Sequence, residues 1–105
     1  MKTTITALAA LGALILAHAP AQATDLALGE ARYNENCVNC HGRAGRGMAS
    51  FPSISGRDYS YIADRLTTYR AREMVGPNSA IMMSLAEELT DDEIANLATY
   101  IAESF

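Results

Sequence analysis

The sequence contains no tryptophan, only two cysteines and only two histidines, and its one lysine is Lys2. Two cysteines allow a single bridge, which excludes a disulfide-dense scaffold. An apolar content of 50% excludes a disordered chain. Acidic residues outnumber basic ones by 12 to 8, so the electrostatic footprint of a nucleic-acid-binding protein is missing. A length of 105 residues suits one small domain.

The first 23 residues have the layout of a secretory signal peptide. Lys2 gives a basic start, residues 5–17 are almost wholly apolar, and Ala21-Gln22-Ala23 has the small-residue pattern of a cleavage site. A membrane anchor is the alternative, but the apolar run has 13 residues and a spanning helix needs about 20. We therefore predict cleavage near Ala23, export to the periplasm and a mature domain over residues 24–105.

Charge is unevenly distributed along the predicted mature domain. Residues 24–72 hold all seven arginines and five acidic residues, whereas residues 73–105 hold seven acidic residues and no basic one. One end of the fold is therefore expected to be acidic and another mildly basic. The acidic end is either a docking surface for a partner or simply a solvated helix face.

Cys37-Val38-Asn39-Cys40-His41 is the most specific motif in the chain. A domain of this size is marginally stable from its core alone, and usually carries a disulfide, a metal or a cofactor. C-x-x-C-H is the signature of covalent haem attachment, in which the two thiols add to the haem vinyl groups and the histidine ligates iron. Predicted export supports this interpretation, because c-type haem is attached after export. The motif predicts one haem c bound through Cys37 and Cys40, with His41 as an axial ligand.

Three other interpretations of this motif are weaker. A redox-active C-x-x-C pair is typical of a thioredoxin-like fold, but no βαβ pattern surrounds it. A structural zinc ion needs four ligands, and the mature domain offers only Cys37, Cys40 and His41, since His18 belongs to the leader. A disulfide between the two cysteines would leave His41 without a role.

The first two predicted helices flank a loop. The first covers residues 26–36, with Asp25 or Thr24 as its cap. The loop that follows is rich in glycine and proline, which excludes a regular element. The second helix begins after Asp58 and ends before Gly76-Pro77. Apolar residues recur along it at helical spacing: Tyr59, Ile62, Leu66 and Tyr69.

The last two predicted helices lie in the acidic part of the chain. A short one covers about residues 80–88, capped by Asn78 or Ser79. The last begins at a capping box formed by Thr90 and Glu93, with Leu89 and Ile94 as a hydrophobic staple. Its buried stripe is predicted to be Ile94, Leu97, Ala98 and Ile101.

The second axial ligand of the haem is predicted to be a methionine. The mature domain has no further histidine, and Met/His ligation suits electron transfer. Met48 lies only seven residues past His41, too near in the chain to reach the opposite haem face. Met74 precedes Gly76-Pro77, and Met82 and Met83 follow it. One of the latter pair is the better candidate, and the other is expected to pack in the core.

The mature domain resembles the small monohaem class I cytochromes c of bacteria over nearly its whole length. Gly29 and Tyr33 on the first helix, and Leu97 and Tyr100 on the last, are similar to the residues at which the terminal helices of that family cross. The resemblance implies an all-α class I cytochrome c fold. Such a fold has about four short helices around one covalently bound haem, with the N- and C-terminal helices crossing.

The resemblance also implies two residue roles. Residues 51–56 are similar to the proline loop of the family, in which the proline carbonyl accepts a hydrogen bond from the haem-ligating histidine. Pro52 would then orient His41. Residues 82–90 are similar to the segment of the ligand methionine, which commonly lies seven residues before a leucine. Leu89 occupies that position, so Met82 is favoured over Met83.

The resemblance implies an electron carrier rather than an enzyme. The first hypothesis is a periplasmic protein that passes single electrons between a redox donor and an acceptor through a His/Met-ligated haem. The alternative is the haem c subunit of a larger oxidoreductase, such as a flavoprotein sulfide dehydrogenase. A haem sensor or peroxidase-like enzyme is the third, and it requires an open or displaceable sixth position.

Tyrosines and arginines around the second helix are candidates for a partner interface, where both residue types are favoured. Arg43 and Arg46, beside the haem motif, are candidates for flanking the haem edge or for reaching a propionate. Exposed arginines are also ordinary on a glycine-rich loop. The interface candidates are Arg57, Tyr59, Tyr61, Arg65, Tyr69, Arg70 and Arg72.

Overall fold

The computed structural model describes residues 24–105, and the predicted leader, residues 1–23, lies outside the described residues. Its ordered elements there are helices, and one isolated bridge pairs Met48 with Phe51 in a loop. None of these helices combines the length and the apolarity that crossing a bilayer needs. The five helices are α1 (Leu26–Asn36), α2 (Val38–His41), α3 (Tyr59–Arg70), α4 (Ser79–Ala86) and α5 (Asp91–Ser104).

The all-α prediction is confirmed, and helix α2 is an addition to it. This single turn lies within the C-x-x-C-H motif. Its four residues are too few to show a helical pattern of apolar positions, so the sequence did not predict it. Helix α3 ends at Arg70, several residues before Gly76-Pro77. Tyr59 was expected on its apolar face but is 44% exposed, because the first turn of α3 extends past the core.

Side-chain caps fix where three of the helices begin. Asp25 accepts hydrogen bonds from the amides of Ala27 and Leu28 at 2.9 and 3.1 Å, and so caps α1. Asp58 caps α3 in the same way. Thr90 and Glu93 form the predicted capping box of α5, with hydrogen bonds of 3.1 and 2.9 Å. These caps satisfy amides that have no partner within their helix.

The sequence predicts Asn78 or Ser79 as the cap of α4, but neither side chain caps this helix. Asn78 occupies the cap position but makes no capping hydrogen bond. Ser79 instead accepts from the amides of Val75 and Gly76, at 2.9 and 2.8 Å. Its buried hydroxyl therefore closes the turn that leads into α4.

Helix α5 provides the centre of the core. Both α1 and α3 pack against it, and α4 packs against α3. The predicted stripe of α5 is confirmed, since all four of its residues are buried: Ile94, Leu97, Ala98 and Ile101.

The acidic and basic segments of the sequence meet in the fold. Surface ion pairs of this kind contribute little stability each, but they neutralise much of the predicted segregation of charge. Separate acidic and basic ends are therefore expected only from the charged residues that form none of these ion pairs. The pairs between segments are Arg32–Glu93 at 3.6 Å, Arg70–Asp91 at 2.7 Å and Arg72–Glu87 at 3.1 Å.

Helices α1 and α5 approach most closely at Gly29. A Cβ atom at this position would lie 2.8 Å from the Cβ of Tyr100, and closer still to the carbonyl oxygen of Asn96. One turn further along α1, the ring of Tyr33 is fully buried, 5.6 Å from the ring of Tyr100. Only glycine lets the two backbones lie this close.

Replacing Gly29 with alanine is expected to destabilise the fold by about 1–3 kcal/mol, the usual cost of overpacking. The clash outweighs the roughly 1 kcal/mol that alanine gains over glycine inside a helix. Urea unfolding of the haem-loaded protein would measure the difference. Gly76→Ala is the matched control, because a Cβ there meets no atom within 4 Å. Equal stability of the two variants would contradict the close packing at Gly29.

Candidate functional site

Helix α2 places His41 in the interior. The amide of His41 donates to the carbonyl of Cys37 at 3.0 Å, and the amide of Gly42 donates to that of Val38 at 2.9 Å. The imidazole is only 7% exposed. Because α1 leads into Cys37 without a break, the packing of α1 on α5 determines where the whole motif lies.

The glycine-rich loop folds back over His41. The carbonyl of His41 accepts from the amide of Gly47 at 2.8 Å. Gly47 has a φ of +74°, and a Cβ there would lie 2.7 and 2.8 Å from the carbonyl carbon and oxygen of Pro52. A side chain at Gly47 would push Pro52 away, so glycine lets the proline approach.

The carbonyl oxygen of Pro52 lies 2.8 Å from Nδ1 of His41. A carbonyl only accepts hydrogen bonds, so this contact assigns the ring proton to Nδ1. In the neutral imidazole with this tautomer, Nε2 carries the lone pair that an iron ligand needs. The structure thus brings together the two residues that the resemblance linked.

A cleft with two lobes lies beside His41. The first lobe has a volume of about 690 Å³ and the second about 730 Å³, their open mouths included. They are two parts of one cleft because they have six lining residues in common: Cys37, His41, Pro52, Leu66, Met82 and Leu97.

The structure separates the four candidate methionines. Met82 is half-buried and lines both lobes of the cleft. Met83, its neighbour, is 6% exposed and lines neither lobe. Met48 and Met74 are 49% and 65% exposed and also line neither. Only Met82 shares the cleft with His41.

The thiols of Cys37 and Cys40 are free and half-buried. Burial raises the pKa of Cys37 to about 11, although the nearby guanidinium of Arg32 acts in the opposite direction. Reactive redox cysteines have lowered pKa values. The environment of Cys37 therefore disfavours a thioredoxin-like pair.

The cleft fits a haem. Its walls are core side chains such as Leu66 and Leu97, so a flat apolar macrocycle would complete the core rather than occupy a separate pocket. Its donor atoms are one imidazole, one thioether and two thiols, which are the groups that hold a c-type haem.

Comparison with known proteins gives the family. The family model described as cytochrome c matches residues 26–104, so the chain belongs to the cytochrome c family. It is 37% identical over 79 residues to cytochrome c-554(548) of Halomonas halodenitrificans, a match that covers 74% of this chain and 94% of the relative. It is 32% identical over 88 residues to cytochrome c-554(547) of Halothiobacillus neapolitanus, covering 76% and 97%.

Two longer proteins match over part of their length. A protein named thiosulfate dehydrogenase electron acceptor, from Stutzerimonas stutzeri, is 36% identical over 67 residues, covering 63% of this chain and 31% of its own. The crystal structure of reduced recombinant cytochrome c4 from Pseudomonas stutzeri superposes with a TM-score of 0.65 at 26% identity. That match covers 78% of this chain and 50% of the other.

These findings confirm the class I cytochrome c fold. The protein carries one covalently attached haem c and transfers electrons with redox partners. It is an electron-transfer protein rather than an enzyme.

The structure places the arginines singled out in the sequence in different surroundings. Arg43 and Arg46 are exposed and line neither lobe, so they do not reach the cleft. Arg57, Tyr61 and Arg65, expected at a partner interface, line the second lobe. Arg57 precedes the cap of α3, whereas Tyr61 and Arg65 lie four residues apart on one face of the helix, a spacing that could have indicated a common role.

The hydroxyl of Tyr33 fixes the chain directly after His41. It donates to the carbonyl of Gly42 at 2.5 Å. Burial is the main cause that raises the pKa of Tyr33 to about 12, from 10.0. The phenol is therefore neutral, and its hydrogen bond intact, well above neutral pH.

Tyr33 is expected to make the stability of the fold fall in alkali. The unfolded chain ionises first, so this contribution is fully present below pH 10 and is lost as the pH rises towards 12. Tyr33→Phe should cost about 1 kcal/mol at neutral pH through the lost hydrogen bond, and should weaken the alkaline loss. Unfolding free energies measured across the pH range would show this. Identical alkaline slopes in the two proteins would contradict the assignment.

Proposed function

We propose that this protein carries single electrons in the periplasm through a haem whose iron is ligated by His41 and Met82. One observation carries the proposal: His41 and Met82 line both lobes of one apolar cleft, whereas Met83 lines neither. The bound haem supplies an iron that alternates between two oxidation states. The protein residues set how readily it does so.

His41 and Met82 are suited to an electron carrier. The hydrogen bond from Nδ1 of His41 to Pro52 orients the ring and increases the basicity of Nε2. A methionine as the second ligand raises the reduction potential and closes the sixth position to small molecules. The apolar walls keep water away from the iron.

Attachment through Cys37 and Cys40 and a periplasmic location complete the proposal. Both thiols lie at the cleft, and Cys40 lines only its first lobe. The sequence of residues 1–23 supports export and cleavage near Ala23. Export precedes attachment of c-type haem, so the two features support one another.

The first test is an absorption spectrum of protein produced with the haem-attachment machinery, recorded oxidised and then reduced. We expect a sharp low-spin reduced spectrum and a weak ferric sulfur-to-iron band in the far red. A high-spin spectrum, or one that changes with carbon monoxide at neutral pH, would instead support the sensor or peroxidase-like alternative. Absence of haem would support the alternative in which Cys37 and Cys40 form a redox pair.

Replacement of each methionine by leucine separates Met82 from Met83. Met82→Leu should abolish the far-red band and lower the reduction potential, because the sulfur ligand is lost. Met83→Leu is the matched control: it should keep both and cost less than about 1.5 kcal/mol, as for a volume-conserving core change. The opposite pattern would assign the ligand to Met83.

Cys37→Ala and Cys40→Ala test the covalent link. Each variant should keep at most one thioether, with reduced haem yield and a less stable fold. Haem retention after denaturation and acid–acetone extraction measures the link directly. Normal retention in both variants would refute attachment at these residues.

A permanent subunit of a larger oxidoreductase is the second candidate. The matching protein named thiosulfate dehydrogenase electron acceptor supports it, as do Ile81 and Leu85, which are exposed at the rim of the first lobe. A catalytic partner, for example a flavoprotein, would then remain bound. Purification from the native periplasm under mild conditions decides between them: a free protein supports the carrier, and a stoichiometric complex with bound flavin supports the subunit.

A further inference from the structure

The half-buried ring of Phe105, which follows α5, packs on the glycine-rich loop. Its centre lies 5.0 Å from the centre of the Tyr33 ring and 5.5 Å from that of the Tyr100 ring. A Cβ atom at Gly45, which is buried and has a φ of +65°, would lie 2.7 Å from Cδ2 of Phe105. Glycine at this position therefore lets the loop backbone lie directly against the ring.

The carbonyl oxygen of Gly45 gathers the far side of the loop. It accepts three hydrogen bonds from residues 53–55: two from backbone amides, at 2.7 and 3.1 Å, and one from the Ser53 hydroxyl, at 3.2 Å. A backbone oxygen of Phe105 accepts a further bond from the amide of Gly56, at 3.1 Å. This stretch of the loop is thus held between Gly45 and Phe105.

The stretch held in this way begins beside the residue that orients His41. Pro52 directly precedes residues 53–55, and its carbonyl oxygen lies 2.8 Å from Nδ1 of His41. Pro52 is exposed, and a proline has no amide hydrogen with which to fix its own position. Its carbonyl is therefore positioned by its neighbours: the isolated bridge on one side, and the hydrogen bonds of residues 53–55 on the other.

We propose that Phe105 is a positioning residue for electron transfer: its ring holds the loop so that the Pro52 carbonyl stays on His41, and this lowers the reduction potential of the haem. The inference requires a haem ligated by His41, and so rests on the proposed function, but it does not depend on which methionine ligates iron. Phe105 lines neither lobe of the cleft, so it acts through the loop rather than through contact with the haem.

The direction of the effect follows from the hydrogen bond between His41 and Pro52. A carbonyl that accepts from Nδ1 increases the basicity of Nε2 and makes the imidazole a stronger donor to iron. A stronger donor stabilises ferric iron, which has the higher positive charge, and so lowers the reduction potential. Loss of the Phe105 ring loosens the loop, weakens this hydrogen bond and raises the potential. Entry of water into the cleft would act in the opposite direction, because a polar environment favours the more highly charged state.

The experiment compares Phe105→Ala with Ile94→Ala, both loaded with haem. Phe105→Ala removes the ring and keeps the backbone oxygen that accepts from Gly56. Ile94 is the matched control, because it is 5% exposed, lies near the start of α5 and lines neither lobe. Both variants should lose stability in urea. Only Phe105→Ala should have a reduction potential above that of the parent.

The ring proton of His41 gives a second and more direct measurement. Residues 24–105 contain one histidine, so isotope-labelled histidine reports on His41 alone once the leader is cleaved. The Nδ1 proton should exchange with solvent about two- to tenfold faster in Phe105→Ala, the change expected from losing an aromatic contact. Exchange in Ile94→Ala should match the parent. Phe105→Leu keeps an apolar group over Gly45 and should give intermediate values.

Two results would overturn the proposal. The first is a Phe105→Ala variant that loses stability but keeps the potential and the proton exchange of the parent, since the ring would then only support the fold. The second is a fall in potential, which would indicate water entry instead. If Phe105→Ala does not mature, Phe105→Leu is compared with the parent in the same two measurements.

Failure of the proposed function is visible separately, in the parent protein. The Nδ1 proton signal of an iron-ligating histidine shifts when the iron changes oxidation state. A parent whose signal does not shift would refute ligation by His41, and the inference with it. A parent whose signal does shift retains the ligation, and the variants then decide the role of Phe105 alone.

Discussion

The close approach of α1 and α5 at Gly29 is the contact on which the rest of the structure depends. It determines the direction in which α1 enters the C-x-x-C-H turn, and so where the thiols and His41 lie. Tyr33 strengthens this arrangement, because its ring packs against α5 and its hydroxyl holds the carbonyl of Gly42. One glycine and one buried aromatic residue thus connect the packing of two helices to the geometry of the site.

The cleft is a part of the core that the protein leaves for its cofactor. Leu66 and Leu97 belong to the buried cluster and also line both lobes. A chain of this size buries too little of its own surface to be stable with such a gap. We therefore expect folding and haem binding to be coupled, with the covalent link holding the group that completes the core.

The sequence predicts the fold better than it predicts the site, for physical reasons. The boundaries of α1 and α5 could be predicted because Asp25 and the Thr90/Glu93 box act within a few residues of each helix end. The proposed ligand pair joins distant segments of the chain, so residue spacing could only favour Met82 over its neighbour Met83. The fold separates the two further, because Met82 lines the cleft and Met83 does not.

The arginines show most clearly that the sequence does not predict which distant residues become neighbours in the fold. Counting charges along the chain predicted one acidic and one mildly basic end, but the fold divides the arginines by their three-dimensional neighbours. Arg70 and Arg72 lie beside acids that come later in the sequence, and pair with them. Arg57 and Arg65 lie beside the cleft, where the protein supplies no acid. The same residue type therefore joins distant segments of the chain at Arg70 and Arg72, and lines the cofactor cleft at Arg57 and Arg65.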